Sequence, residues 1–325
     1  NYVYVSSYDN NRILKYDLLT GEFISEFISS RDNGLLNPIS NTINNNKFYV
    51  ASESSKKILT YDLNTGKFLN QFKLQDHPHG LTFDSNDTLY VSLFNSNKVI
   101  SYNLHTKESG VLLSENDGLV GPEGLAVDSI NNVIYVSSQN NQIFEYDLDQ
   151  NTSKPILISS GNGILQKPQG LVMHDGNLFI SNNNSNEILQ YSPQANSLEV
   201  FVHDTGDLIR PGGITFGPDS DIYVINENDN KIYQYDVNDG KLLRIFADSP
   251  FDDSKQDIGL RSIVFTKNGQ YLFASSPLTN DIFAFDVPDN KYLPGFFNNQ
   301  SELNYPTDLT LTPDGKHLLV INYGK

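Results

Sequence analysis

The chain has 325 residues, 38% of them hydrophobic, and its 22 Lys and Arg against 39 Asp and Glu leave a net charge of −17. So acidic a surface repels phosphate backbones and anionic lipid, which argues against nucleic acid as a partner; no apolar run reaches the roughly 18–20 residues of a membrane helix, which argues against membrane insertion. Cysteine is absent, which removes disulfides, thiolate metal sites and thiol nucleophiles.

In chain order the first predicted element is "YVYVSS" from Tyr2, an alternating strand, followed by "ILKYD" ending at Asp17 and, after a Thr-Gly turn, "FISEF" from Phe23. The phrase Ile/Val-x-x-Tyr-Asp then recurs: "ILTYD" at Tyr61, "VISYN" at Tyr102, "IFEYD" at Tyr146, "ILQYS" at Tyr191, "IYQYD" at Tyr235 and "IFAFD" at Phe285. The gaps are 45, 41, 44, 45, 44 and 50 residues, the period of a four-stranded propeller blade. Each unit reads as a first strand such as "GLTFD" from Gly80, a second such as "IYVSS" from Ile134, the Tyr-Asp strand, and a fourth after a turn, as in "TGKFLNQF" from Thr65. The Tyr is expected to pack between blades and the Asp to accept turn amides. No helical periodicity competes, so the fold class is all-β, a seven-bladed β-propeller of four-stranded antiparallel blades. It forms a single domain over 1–325, with units at about 1–29, 38–73, 78–114, 122–159, 168–202, 211–246 and 260–297, and 306–325 closing the ring. "TDLTLTPDG" from Thr307 supplies the innermost strand that the opening unit lacks. "HLLVINYG" from His317 is then surplus: it competes with "YVYVSS" or begins an eighth blade, and an unpaired strand there could donate to a neighbouring chain.

The combined pattern resembles the NHL-repeat propellers and is similar to the wider group holding the gluconolactonase (SMP-30) proteins and the streptogramin (virginiamycin B) lyases. "PEGLAVDSINNVIYVSSQNNQIFEYD" from Pro122 carries it most clearly, and the resemblance spans the whole chain. It implies a central channel ringed by the innermost strands, with the residue before the recurrent Gly at its mouth. That slot holds Ile39, His79, Glu123, Gln169, Gly212, Arg261 and Thr307. His79, Glu123 and Arg261 are the candidate catalytic residues: imidazole and carboxylate as acid and base, guanidinium for a developing negative charge. His77, Gln169, Thr307 and Asp308 complete the candidate ligand-binding mouth.

The gluconolactonase resemblance also implies calcium as a cofactor, on a Glu before Gly, an Asn before Gly and an Asp. Glu123 and Asp308 are the candidate ligands here; Gln169 stands where Asn is wanted, Gly212 offers no side chain, and Asp308 falls one place late. His77 and His79 could together give a transition metal two ligands. The Asn-rich loops between second and third strands are read either as left-handed turns or as a ring of amides for sugars or peptide. "FDDSKQDIGL" from Phe251 lies in the longest gap and is the expected specificity element.

Asn1 opens the chain without a charged-then-apolar leader, as in a processed or trimmed product, and sequons at Asn86, Asn151, Asn183 and Asn299 accord with a secreted, periplasmic or cell-surface location. The leading functional expectation is a binding or interaction propeller whose mouth takes a protein, glycan or small-molecule ligand. The alternatives are a lyase or lactone-type hydrolase centred on His79, Glu123 and Arg261, and an assembly subunit using the surplus strand.

Overall fold

The structure, a computed structural model, describes residues 1–129, 131–150, 152–158, 164–246, 258–297, 303–312 and 314–323; Glu123 and residues 153–158 are described by their backbone alone. Seven sheets form, six of four strands and one of five. The innermost strands are Pro38–Asn44, Pro78–Phe83, Pro122–Asp128, Pro168–His174, Pro211–Phe216, Ile263–Phe265 and Pro306–Leu311. Six of them open on proline, which is tolerated at the first residue of a strand because no ladder donor is lost there. The blades they start are numbered two to seven along the chain, and the seventh strand starts the closing blade.

The repeat unit is legible in the contacts. The third-strand Asp caps the turn to the fourth strand: Asp62 Oδ1 accepts from Asn64 N at 3.2 Å and Thr65 N at 2.9 Å, and Asp147 Oδ1 from Asp149 N at 3.0 Å and Gln150 N at 2.9 Å. The adjoining aromatics Tyr16, Tyr61, Tyr146, Tyr191, Tyr235 and Phe285 are buried between blades, none more than 8% exposed. Burying aromatic side chains of this size is the dominant packing gain of the fold.

The Asn-rich loops prove structural. Asn11, Asn97, Asn141, Asn186, Asn230 and Asn280 all take left-handed backbone just before the third strand. Each side chain then accepts the N–H of a left-handed residue in the next connector: Asn37, Gly121, Lys167, Arg210, Gly259 and Tyr305, at 2.8–3.0 Å. Asn suits both demands, because it tolerates positive φ and carries an acceptor at short reach. The seventh position is Lys56, which keeps the left-handed backbone but has no acceptor to offer.

The seam departs from the expected closure. His317–Asn322 neither displaces Tyr2–Ser7 nor starts an eighth blade. It inserts between them, antiparallel to Pro306–Leu311 on one side and parallel to Tyr2–Ser7 on the other, giving the five-stranded blade. Both its edges are paired, so the open edge on which strand donation would rest is not there. Val3, Val5, Leu318 and Val320 share one apolar cluster, which shows why burial favours insertion over a free strand. Of the four sequons, Asn183 is 1% exposed and spends its side chain on Pro211 O at 3.2 Å, Asn86 is exposed, and Asn151 and Asn299 lie outside the described residues.

Candidate functional site at the channel mouth

The inner strands are bulged after their proline, and the bulge sets the mouth. At Gly80, Gly124 and Gly170 the N–H donates to a second-strand serine hydroxyl, Ser92, Ser137 and Ser181, at 2.7, 2.9 and 2.7 Å. In blade six that serine is Ile225, and the Gly213 N–H donates instead to Arg261 O at 3.1 Å. A β-carbon on Gly213 would fall 2.6 Å from that oxygen and 2.9 Å from Ser262 Cα. Glycine there lets blade six close directly on the backbone that carries Arg261.

In the closing blade this glycine position is Asp308, which puts a carboxyl where the other blades have none. Asp308 Oδ1 accepts from the Ser262 hydroxyl and from Leu309 N, both at 2.9 Å. Ser262 is itself fixed by its N–H to Ser275 Oγ at 3.1 Å. Asp308 is open to solvent, yet protein encloses its carboxyl, and the resulting loss of hydration pushes its pKa up. The Ser262 and Leu309 hydrogen bonds and the positive charges of Arg261 and His79 pull the other way. His79 and Arg261, 182 positions apart in the chain, both favour the ionised form of this one carboxyl through charge.

His79 is half-buried, its ring stacked on Phe94 with centroids 5.6 Å apart. His77 belongs to a different cluster: its Nδ1 lies 3.0 Å from Asp76 Oδ1 and 3.0 Å from Asn95 Nδ2. The two histidines thus make separate contacts, and no group of three or more His, Asp or Glu suited to a metal ion forms among the described residues. The Asp308 carboxyl is hydrogen-bonded by a hydroxyl and an amide, and the side chain of Glu123, the other expected calcium ligand, lies outside what is described. Gln169 and Thr307 are half-buried in the ring, Thr307 Oγ1 reaching Ile321 O at 3.5 Å, while Ile39 is packed away at 2% exposed. Glu123 takes its place in the inner strand of blade four, its side chain lying outside what is described. Residues 251–257 of the expected specificity loop also lie outside the described residues.

A second ring, which the sequence reading missed, comes from the residue just after each second strand, Glu53, Phe94, Gln139, Asn183, Glu227, Pro277 and Tyr323, joined by Tyr8 after Tyr2–Ser7 in the closing blade. Tyr8 stacks on Tyr323 with centroids 4.7 Å apart, and its hydroxyl donates to Glu53. Burial, then that carboxylate, pushes the Tyr8 pKa up. Glu227 accepts from Asn183 Nδ2 at 3.2 Å and lies 3.9 Å from Arg210 Nε. A β-carbon on Gly212 would sit 3.0 Å from Glu227 Oε1, so Glu227 fills the slot that Gly212 leaves bare. That glycine was the available signal, since a bare slot in a packed ring invites a neighbour's side chain.

These features define a seven-bladed β-propeller. The family described as "Lactonase, 7-bladed beta-propeller" matches residues 211–323, the third of the chain that carries Arg261, Ser262 and Asp308. Among solved structures the chain is similar to a catalytically inactive virginiamycin B lyase from Staphylococcus aureus with quinupristin, at 17% identity over 84% of this chain and 88% of that one, TM-score 0.65. It is also similar to a functionally unknown protein from Desulfotomaculum acetoxidans (15% identity, 90% and 94% covered, TM-score 0.68) and to a chain of a nidogen/laminin complex (17%, 84% and 97%, TM-score 0.53). At these identities the likeness is one of fold. No curated protein matches the chain. Among the described residues no helix is long and apolar enough to cross a membrane.

Proposed function

We propose that the mouth is the active site of a ring-opening enzyme acting on cyclic esters, either lactones or cyclic depsipeptides. The observation that carries this reading is the Asp308 carboxyl, which stands where other blades have glycine or serine and is fixed by the Ser262 hydroxyl and Leu309 N, both at 2.9 Å, on the strand beside Arg261. A carboxyl fixed in this way and the His79 imidazole on another inner strand of the same ring are suited to act as an acid/base pair. Both routes to ring opening end in a carboxylate. In hydrolysis, water adds to the ester carbonyl and the ring C–O bond breaks; in elimination, a base takes a proton beta to the leaving oxygen and the C–O electron pair departs with the carboxylate. Arg261 is suited to hold that anion in either case. Support for this chemistry over others comes from the lactonase match, which falls on the third of the chain bearing Arg261 and Asp308. Glu123 remains a third candidate acid/base at the mouth.

The test is a panel of lactones and cyclic depsipeptides, quinupristin included, with products read by mass. A product gaining one water marks hydrolysis; a ring-opened product of unchanged mass marks elimination. No turnover across the panel would turn preference to the second reading, a mouth that binds a glycan, peptide or protein without turnover. That reading is favoured by the aromatic surface of the Tyr8–Tyr323 stack and of Phe94 beside His79.

A further inference from the structure

One junction between blades is built differently from the others. Six connectors into an inner strand each bury an aliphatic residue between blades: Leu35, Leu119, Leu165, Leu208, Ile258 and Leu303, none more than 4% exposed. The connector into blade three is only residues 74–77, between the strands Phe68–Lys73 and Pro78–Phe83, and its sequence is Leu-Gln-Asp-His. Its Leu74 is only partly buried and Gln75 is exposed. The anchoring changes with it. Ser or Asn ends the second strand in the neighbouring blades and bonds the connector, as Ser52 Oγ does to Leu36 N at 2.8 Å and Asn226 Oδ1 to Ile209 N at 3.2 Å; here the residue is Leu93.

The missing plug leaves a cleft of about 810 Å³ between blades two and three. Tyr102, whose six counterparts are buried, is half-buried here and leans on Phe72 with centroids 4.4 Å apart. By register Leu89 faces Tyr102 and Val91 faces Ile100, while Val111 pairs with Ile100, so one apolar face of blade three lines the space. Phe72 and Leu74 form the opposite wall, and Val111 is 59% exposed at the rim. Lys73 and Lys98 also line it, Lys98 on the same strand face as Ile100, and neither forms an ion pair among the described residues. The one lining carboxylate, Asp76, has its Oδ1 3.0 Å from His77 Nδ1, while its Oδ2 is buried without a hydrogen-bond partner. In a chain of net charge −17 an apolar cleft whose lining holds two lysines against one acid is a local excess of positive charge and favours an anion.

We propose that this cleft is a binding site for one small amphipathic carboxylate, its hydrocarbon body along Tyr102, Ile100 and Phe72 and its carboxylate on Lys73 and Lys98. The volume and the apolar lining with a few polar groups are those of small-molecule sites.

Titration calorimetry of the whole chain with decanoate, against decyltrimethylammonium as the cationic control, tests it. Saturable one-to-one binding of decanoate is expected, with little or none for the control. Lys73→Met/Lys98→Met should weaken it roughly tenfold or more, the worth of a charge-assisted contact. Ser109→Phe, at an exposed position paired with Tyr102, should block the cleft while leaving thermal unfolding unchanged. Absence of saturable binding, equal binding of the cation, or decanoate binding untouched by Ser109→Phe in a folded variant would each overturn the proposal.

Discussion

The Ser262 hydroxyl donates to the Asp308 carboxyl at 2.9 Å across the seam between blade seven and the closing blade, joining residues 46 positions apart. This bond favours the ionised carboxyl, and enclosure by protein opposes it; burial is the larger effect and the pKa is raised. A carboxyl raised in the folded state binds more protons folded than unfolded, so its stability contribution is full at low pH and drains as pH climbs past the ordinary carboxylate range. Asp308→Asn should therefore unfold at a slightly higher temperature than the parent at pH 7, the gain kept small by the exposure of the residue to solvent. The difference should shrink toward pH 4. Calorimetry at the two pH values checks both statements. Ser262→Ala should raise the Asp308 pKa further, visible in a carboxyl titration by NMR.

His317 carries a pH dependence of the opposite sign. Its ring stacks on Tyr2 at 5.9 Å, and burial, assisted by Lys15 and Lys316, lowers its pKa from 6.5 against the pull of Asp314. A histidine held neutral in the folded state keeps its stability above about 6.5 and loses it as pH falls through the lowered value. Thermal unfolding of the parent should therefore weaken below about pH 6.5, and His317→Gln should flatten that slope.

Gly213 tests the coupling of backbone to mouth. Alanine there would press on Arg261 O and Ser262 Cα, backbone atoms that cannot swing away. We expect Gly213→Ala to cost about 1–3 kcal/mol, as overpacking does, and to displace Arg261. Denaturant unfolding reads the first. A loss of ring-opening activity larger than Gly170→Ala causes reads the second.

The asparagine clamps make a quantitative comparison. Asn97→Ala loses the bond to Gly121 N at 2.8 Å and places a β-carbon at φ 53°. Asn97→Gly loses only the bond. The hydrogen bond is worth about 1 kcal/mol and the left-handed backbone about another 1 for alanine. Urea midpoints should rank parent above Gly above Ala.

The repeat was legible because each blade needs the same few residues: Tyr to fill the gap between blades, Asp to cap a turn, Asn for a left-handed corner. Blade count followed from the spacing of Tyr16 through Phe285. The slot residues His79 and Arg261 were legible from the same register. Asp308 was placed one position late for the slot, and it is late: it stands at the position that is glycine in four blades and serine, Ser40 and Ser262, in two. Glu53 and Phe94 were not read as site residues, because their position after a strand's end varies in type from blade to blade, and for Glu227 the only sign was the bare slot at Gly212. Nor was the insertion of His317–Asn322, because its parallel pairing with Tyr2–Ser7 spans the two ends of the chain and leaves no local sign.

The central claim is that the mouth performs acid/base chemistry on a cyclic ester, and the most direct measurement is the ring-opening rate of the parent beside His79→Ala, Arg261→Met and Asp308→Asn. Turnover by the parent, with a fall of about 10²–10⁴ in kcat for His79→Ala and Asp308→Asn at unchanged folding, is the predicted result. A parent active on these esters whose rate survives all three substitutions would contradict it.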